Sequence, residues 1–119
     1  METHEIISEQ MKVCEKYQAV WFGAPLDQKI GVSKNLTSGE MPINGLRHPP
    51  ENGTAGWYIW AGEWSDANDF FEALHIQHLI EKYPQLLKYL GLPPGYRFQV
   101  DSNGYEDVWE DKNLLVLND

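Results

Sequence analysis

The sequence predicts an α+β fold, in which an antiparallel or mixed sheet of about four to five strands has helices packed on one face. Short segments with strand composition lie between turn residues along most of the chain, and two stretches have helical spacing of apolar residues. A length of 119 residues is enough for one hydrophobic core and leaves no room for a second. We therefore expect residues 1–119 to form a single domain.

The N-terminal stretch, at about residues 3–17, is predicted to be a helix. Ile7, Met11 and Cys14 follow one another at helical spacing with charged residues between them, and Thr3 is the expected N-cap. Cys14 is the one cysteine of the chain, so an internal disulfide is excluded. Its acidic surroundings raise the pKa of a thiol, which favours a buried apolar side chain over a nucleophile.

Strand and loop signals alternate over the following residues. Residues 20–22 are a short apolar run, expected to be a strand or a packed turn, and residues 30–36 have strand composition. Residues 42–54 contain three prolines and two glycines, which predict a long loop. Arg47 lies in the middle of this stretch and is expected to organise it through an ion pair with Glu63 or another carboxylate.

The run Trp57–Ala61 is the strongest strand candidate, because it is rich in aromatic residues and glycines bracket it. Alternation along a strand directs Tyr58 and Trp60 to one side of the sheet and the other three residues to the opposite side. Both sides are apolar. The strand is therefore either central and covered on both sides, or it leaves its Tyr58/Trp60 side for a partner.

The second helical stretch, at about residues 70–82, is expected to end before Pro84, which then begins a shorter helix over residues 84–90. A proline in the middle of a helix removes a hydrogen bond and clashes with the preceding turn, so one continuous helix is excluded. Further strands or short apolar segments are predicted at residues 96–100, 105–109 and 114–117.

The composition bounds the compartment and the class of partner. A net charge of −9 repels phosphate backbones, which disfavours direct binding of nucleic acid and favours a basic protein partner. The sequence has no apolar run long enough to span a membrane, and its first residues lack the pattern of a signal peptide. Together with a single cysteine, these features predict a cytoplasmic protein with no membrane partner.

The carboxylates are concentrated in two groups that contain no Lys or Arg. The first group is Glu63, Asp66, Asp69 and Glu72, and the second is Asp101, Glu106, Asp107, Glu110 and Asp111. Helix caps and turns attract such residues, but a tryptophan lies in each group, and aromatic side chains beside clustered charge are typical of surfaces that capture a basic protein. The predicted partner-binding residues are Trp60, Glu63, Trp64, Asp66, Asp69, Glu106, Asp107, Trp109, Glu110 and Asp111.

Residues typical of catalysis or metal binding form no complete set. His75 and His78 lie three residues apart and have acidic neighbours, but a metal site needs three or four ligands. Residues 101–107 resemble a calcium loop only faintly, because the glycine is misplaced. The sequence contains no nucleophile-elbow, phosphate-binding or dinucleotide motif. We therefore expect no enzyme, no catalytic residue, no cofactor and no metal.

Two groups of motifs resemble a known family. The first is Pro42–Pro50 (Pro-Ile-Asn-Gly-Leu-Arg-His-Pro-Pro) followed by Gly56–Glu63 (Gly-Trp-Tyr-Ile-Trp-Ala-Gly-Glu), and the second pairs Tyr89–Phe98 with Gly104–Trp109. Over about residues 30–116 they resemble the thirty-third immunity family of bacterial polymorphic-toxin systems. The predicted N-terminal helix lies outside the part that carries this resemblance.

The resemblance implies an α+β cytoplasmic immunity protein that binds and neutralises a cognate toxin, commonly a nuclease, and it implies no catalytic residues. The matched motif positions are Trp57, Gly62, Glu63, Arg97 and Trp109. Because a nuclease is expected to be basic around its substrate groove, an acidic inhibitor can compete with nucleic acid there. Two alternatives stay open: a small-ligand-binding module with an aromatic-lined pocket, and a metal-dependent enzyme that uses His75, His78 and nearby acids.

Overall fold

A mixed sheet of six strands, rather than the four or five predicted, organises the chain in a computed structural model that describes residues 2–116. The α+β class is confirmed. The order across the sheet is β4-β1-β3-β2-β5-β6, in which β1 and β3 run parallel and the other neighbouring pairs run antiparallel. The strands are β1 (Lys29–Ser33), β2 (Ile43–Arg47), β3 (Thr54–Ala61), β4 (Phe71–His75), β5 (Tyr96–Val100) and β6 (Glu106–Glu110).

The predicted N-terminal helix is confirmed as α1 (Thr3–Lys16), and α2 (Leu79–Lys82) is a single helical turn. Thr3 is the first helical residue and not the N-cap, a position that Glu2 takes without a side-chain hydrogen bond. None of the helices within residues 2–116 is long and apolar enough to cross a membrane. Four short 3₁₀ segments complete the structure: Lys34–Thr37, Ile76–His78, Pro84–Tyr89 and Lys112–Leu115.

Residues 42–54 contain strand β2, so the prediction of a long loop there is wrong. β2 lies between β3 and β5, and all five of its residues are buried. Its sequence, Ile-Asn-Gly-Leu-Arg, has little strand preference of its own, and the pairing with two neighbours decides its conformation. Gly45 is needed in this strand because a Cβ there would overlap the ring of Phe98 on β5.

Residues 70–82 begin as strand β4 and become helical only from residue 76, so the prediction of one helix is wrong. β4 pairs antiparallel with the whole of β1. The Glu-Ala-Leu sequence of β4 favours a helix in isolation, and pairing with the edge of β1 overrides that preference. The predicted break at Pro84 is confirmed, since a 3₁₀ segment begins there.

The remaining predicted segments differ in outcome. Residues 20–22 form no strand. A hydrogen bond from the Phe22 amide to the Gly91 carbonyl holds this segment in place. The predicted strands at 96–100 and 105–109 are confirmed as β5 and β6. Of the last predicted segment, Leu114 and Leu115 belong to a 3₁₀ turn, and Leu117 lies outside the described residues.

One face of the sheet, here called the covered face, packs against α1, α2 and the 3₁₀ segment Pro84–Tyr89. Trp57, Ile59 and Ala61 of β3 lie on this face with no solvent exposure. β3 is therefore a central strand whose Trp57 side belongs to the hydrophobic core. The other side of β3 carries Tyr58 and Trp60 and belongs to the opposite face of the sheet.

Cys14 helps to fix α1 to this core. Its side chain is 3% exposed and donates to the Gly91 carbonyl across 3.4 Å, and burial raises the pKa of its thiol. Gln10, also buried, donates from Nε2 to the Leu87 carbonyl and accepts from Nε1 of Trp21. The thiol is thus a packed core group, as its acidic surroundings predicted.

Candidate functional site

The face of the sheet opposite the helices is here called the open face. Strand pairing aligns its residues in two rows, because directly paired residues point to the same side of a sheet. One row runs Trp109, Arg97, Leu46, Tyr58, and the other runs Asp107, Gln99, Asn44, Trp60. Two segments cover it in part: the loop 62–70, and the turn Lys112–Leu115, whose Leu114 packs with Leu46 and Trp60.

An aromatic cluster fills the part of the open face beside β3 and β4. Trp60 is 7% exposed because Trp64 lies over it, with ring centroids 5.1 Å apart. Trp64 also contacts Phe70 and Phe71, and it is itself 52% exposed. The predicted indole side chains therefore differ in role: Trp60 supports the cluster from below, and Trp64 is available to a partner.

Three members of the first acidic group lie on the rim of this cluster. Glu63, Asp66 and Asp69 are exposed on the loop 62–70. Glu72 is exposed on the edge strand β4, but it pairs with the core residue Val32 and therefore points to the covered side. The Trp64 indole Nε1–H donates to Asp66 Oδ1 across 2.9 Å. Lys34 lies 3.7 Å from Asp69, with both side chains more than half exposed, and a pair of this kind contributes little to stability.

The second acidic group is divided between the two faces. Asp107 and Trp109 alternate with Glu106, Val108 and Glu110 along β6. Asp107 and Trp109 lie on the open face, where Trp109 is 39% exposed. Glu106 and Glu110 pair with strand residues that point to the covered side.

Glu106 is the centre of a hydrogen-bonded network on the covered face. Its carboxylate accepts from Lys16 Nζ at 2.8 Å and from the hydroxyls of Tyr17 and Tyr89 at 2.5 Å. Burial raises the pKa of Glu106, but these donors outweigh it and lower the pKa to about 2. The pKa of Tyr89 is raised mainly by burial and, to a smaller extent, by its hydrogen bond to Glu106. Glu106 thus fixes the end of α1 to β6.

Asp111 is engaged by groups of the chain itself. Its Oδ2 accepts from Arg97 Nε at 2.8 Å, and its Oδ1 accepts from the Asn113 amide, which begins the C-terminal turn. Arg97 is thereby held in the open-face row between Trp109 and Leu46. Two exposed carboxylates remain beside the exposed indoles: Asp66 accepts from Trp64, and Asp107 lies two residues from Trp109 on the same side of β6.

The two acidic groups lie near opposite edges of the same sheet. The first begins at the end of β3 and extends onto edge strand β4, while the second lies on edge strand β6. Adjacent strands are spaced about 4.8 Å apart, so β4 and β6 are separated by roughly 24 Å. A face about 24 Å wide is large enough for one side of an interface of standard size, which buries about 800 Å² on each partner. Tyr58 lies on β3 between the two edges, and Trp109 lies on the edge strand β6 itself.

Arg47 has a role that the sequence did not indicate. Its predicted ion pair is wrong: the guanidinium is fully buried on the covered face and donates to five backbone carbonyls. Burial lowers its pKa to about 10, so it is charged at neutral pH. The rings of Phe22 and Trp57 lie 4.8 and 5.6 Å from its central carbon. The five carbonyls are those of Phe22, Gly23, Ala55, Leu90 and Leu92.

Histidines and cavities give no sign of an enclosed site. The rings of His75 and His78 are 5.7 Å apart, and within residues 2–116 no third ligand joins them in a group able to hold a metal. The hollows beside Tyr58, of about 190, 320 and 250 Å³, are open to solvent and are not the deep apolar cavity that a small-ligand module would have.

Comparison with known families identifies one match. The model of the Imm33-like domain family matches residues 9–111, from the middle of α1 to the end of β6, and confirms the resemblance based on the sequence motifs. The comparison with curated proteins finds no match, and neither does the comparison with solved structures.

Proposed function

Because the chain belongs to the Imm33-like domain family, we propose that it is an immunity protein, which binds a cognate bacterial toxin and neutralises it. The family name suggests a protein that acts by binding rather than by catalysis. The net charge of −9 supports a basic partner, because charge complementarity speeds encounter and selects the partner. We propose a cytoplasmic site of action, where the toxin would meet its target.

The toxin binds to the open face in this proposal. The observation that carries it is the exposure of Trp64 and Trp109, each beside a carboxylate on the same face. Large aromatic side chains are the residues that most often dominate binding energy, and most folded proteins bury them. Asp66 and Asp107 supply the charge that attracts a basic surface.

The proposed mechanism is occlusion. A nuclease toxin needs a basic groove to hold the phosphates of its substrate. An acidic face of about 24 Å competes with nucleic acid for that groove and excludes it once bound. The protein itself performs no chemistry in this scheme. Hydrolysis of any substrate by the purified protein would contradict it.

The proposal predicts that a neighbouring gene encodes a toxin domain, and neutralisation is tested with that domain. Expression of that domain alone is expected to stop growth of the host cell, and co-expression with this protein is expected to restore it. A complex of the two should elute together from a sizing column. If the toxin stops growth equally well in the presence of this protein, the proposed function is wrong.

The docking face is tested by charge reversal. The double variant Asp66→Lys/Asp107→Lys should slow association with the toxin about a hundredfold at low salt, about tenfold for each residue, and the difference should shrink as salt screens the charges. The matched control is Glu5→Lys/Glu15→Lys, which changes the net charge equally at two exposed residues of α1. Equal slowing in both variants would show that net charge, and not the open face, determines association.

A further inference from the structure

A hollow of about 320 Å³ on the open face has features of a side-chain pocket; we call it the Trp64 hollow. Strand residues line one side, and the loop that carries Trp64 lines the other. A partner approaching the open face meets it directly, because it is open to solvent. Its lining residues are Leu46, His48, Tyr58, Phe71 and the segment Trp64–Asn68.

Four aromatic rings adjoin one another around the hollow. The ring centroids of His48 and Tyr58 are 5.8 Å apart, those of Tyr58 and Phe71 are 5.2 Å apart, and those of Phe71 and Trp64 are 5.4 Å apart. The interplanar angles of these pairs lie between 58° and 79°, so the rings are crossed and do not stack on one another, and all four line the hollow. Crossed rings around an open space are the arrangement that holds a cation through its attraction to ring faces.

One carboxylate completes the hollow. Asp66 accepts the Trp64 indole N–H on Oδ1, and its Oδ2 receives no hydrogen bond from the described part of the chain. The lining residues include neither Lys nor Arg. The nearest cations of the open face have other partners, since Arg97 contacts Asp111 and Lys34 lies near Asp69. No Lys or Arg side chain of residues 2–116 therefore lines the hollow.

We propose that the Trp64 hollow receives an arginine side chain of the toxin. Ring faces attract a positive charge, and the free oxygen of Asp66 offers a charge-assisted hydrogen bond to it. Arginine fits better than lysine because its planar guanidinium stacks on aromatic rings and loses less hydration. An anion is excluded by the carboxylate, and a wholly apolar group would leave the carboxylate without a partner. The proposal rests on the proposed function only in naming a toxin as the owner of the arginine.

The test uses three tripeptides as probes: acetyl-Gly-Arg-Gly-amide, its lysine counterpart, and its citrulline counterpart, which keeps the shape of arginine but has no charge. Each is titrated into the full-length protein, and the indole N–H resonance of Trp64 is followed by NMR. The arginine peptide should shift this resonance saturably and bind at least about fivefold more tightly than the citrulline peptide. Lysine should lie between the two.

Two isosteric variants locate the effect. Asp66→Asn keeps an oxygen for the Trp64 indole and removes the charge, and it should weaken binding of the arginine peptide at least about threefold. Glu15→Gln makes the same change of charge on α1, outside the hollow, and should leave binding of the arginine peptide unchanged. Both residues are exposed, so neither variant endangers the fold.

The outcomes separate the two proposals. Equal binding of the arginine and citrulline peptides, or equal loss in the two variants, overturns the arginine pocket. Absence of any saturable shift overturns it too, even if the protein neutralises the toxin. If the arginine peptide binds as expected and the toxin is neither bound nor neutralised, the proposed function is wrong and the pocket retains its preference for a guanidinium.

Discussion

The covered and open faces of the sheet use the same residue types in opposite ways. On the covered face, Arg47 and Glu106 are held by hydrogen bonds within the chain, and they fix loops and α1 to the sheet. On the open face, Arg97 is part of a partly exposed ion pair, and Asp107 faces solvent. Arg47 and Glu106 therefore stabilise the structure through hydrogen bonds on the covered face, whereas Asp107 is left exposed on the open face.

Replacement of the two arginines gives the largest contrast. Arg47→Met should cost about 4 kcal/mol of unfolding free energy, because five backbone carbonyls, three of them in buried hydrogen bonds, lose the guanidinium as a donor. Arg97→Met should cost no more than about 1 kcal/mol, since it removes only a partly exposed ion pair. Urea unfolding of both variants measures the difference. Similar losses would mean that the two faces do not differ in this way.

Two glycines provide a second pair, with a smaller effect. Gly45→Ala should cost about 3 kcal/mol, because its Cβ would overlap Phe98, which is 1% exposed and cannot move away. Gly31→Ala on the open face would bring its Cβ within 2.7 Å of Tyr58, which is 37% exposed. That ring can shift toward solvent, so the expected cost is below about 1 kcal/mol. Thermal unfolding of the two variants measures these losses of stability. A larger loss for Gly31→Ala than for Gly45→Ala would contradict the comparison of the two faces.

The Glu106 network predicts a dependence on pH. Glu106→Gln should cost about 2 kcal/mol at pH 7, because a charged acceptor of three hydrogen bonds is lost. The pKa of Glu106 is about 2 in the folded protein, below its ordinary value of 4.5, so its carboxylate stabilises the fold fully above about pH 4.5. This contribution falls as the pH drops toward 2. Urea midpoints of wild type and variant should therefore converge between pH 4.5 and 2.

Asp107→Asn is the control for that measurement, with the smallest expected effect on stability. Asp107 is exposed, so its variant should differ from wild type by less than about 0.5 kcal/mol at either end of this pH range. Its association with the toxin should slow nonetheless. A loss of stability as large as that of Glu106→Gln would show that the open face also contributes to folding.

The sequence predicted those elements whose local pattern agrees with their environment. α1, β3 and the break at Pro84 each carry a strong local signal: helical spacing, aromatic alternation and a missing amide hydrogen. β2 and β4 carry no such signal, because their conformations come from pairing with distant strands. The strand count was low because β2 was assigned to a loop and β4 to a helix.

Prediction of the candidate site met the same limit. Charge clustering identified both acidic groups, but which carboxylates share a face depends on strand register, and Glu106 and Asp107 differ by a single position. Arg47 was noticed and given the wrong partner, since backbone carbonyls from three separate regions leave no sequence pattern. The residues that line the Trp64 hollow come from β2, β3, β4 and two loops, so the hollow too exists only in the folded chain.

The position of β3 has a consequence for how the chain is made. β1 and β2 leave the ribosome first, yet they are not neighbours in the sheet, because β3 lies between them. Neither strand has its main partner until Thr54–Ala61 has been synthesised, and the partners of their outer edges come later still. A nascent chain that stops short of Thr54 therefore contains the sequences of β1 and β2 without the strand that joins them. When β3 is made, it must enter between these two segments and cannot simply add to the edge of an existing sheet.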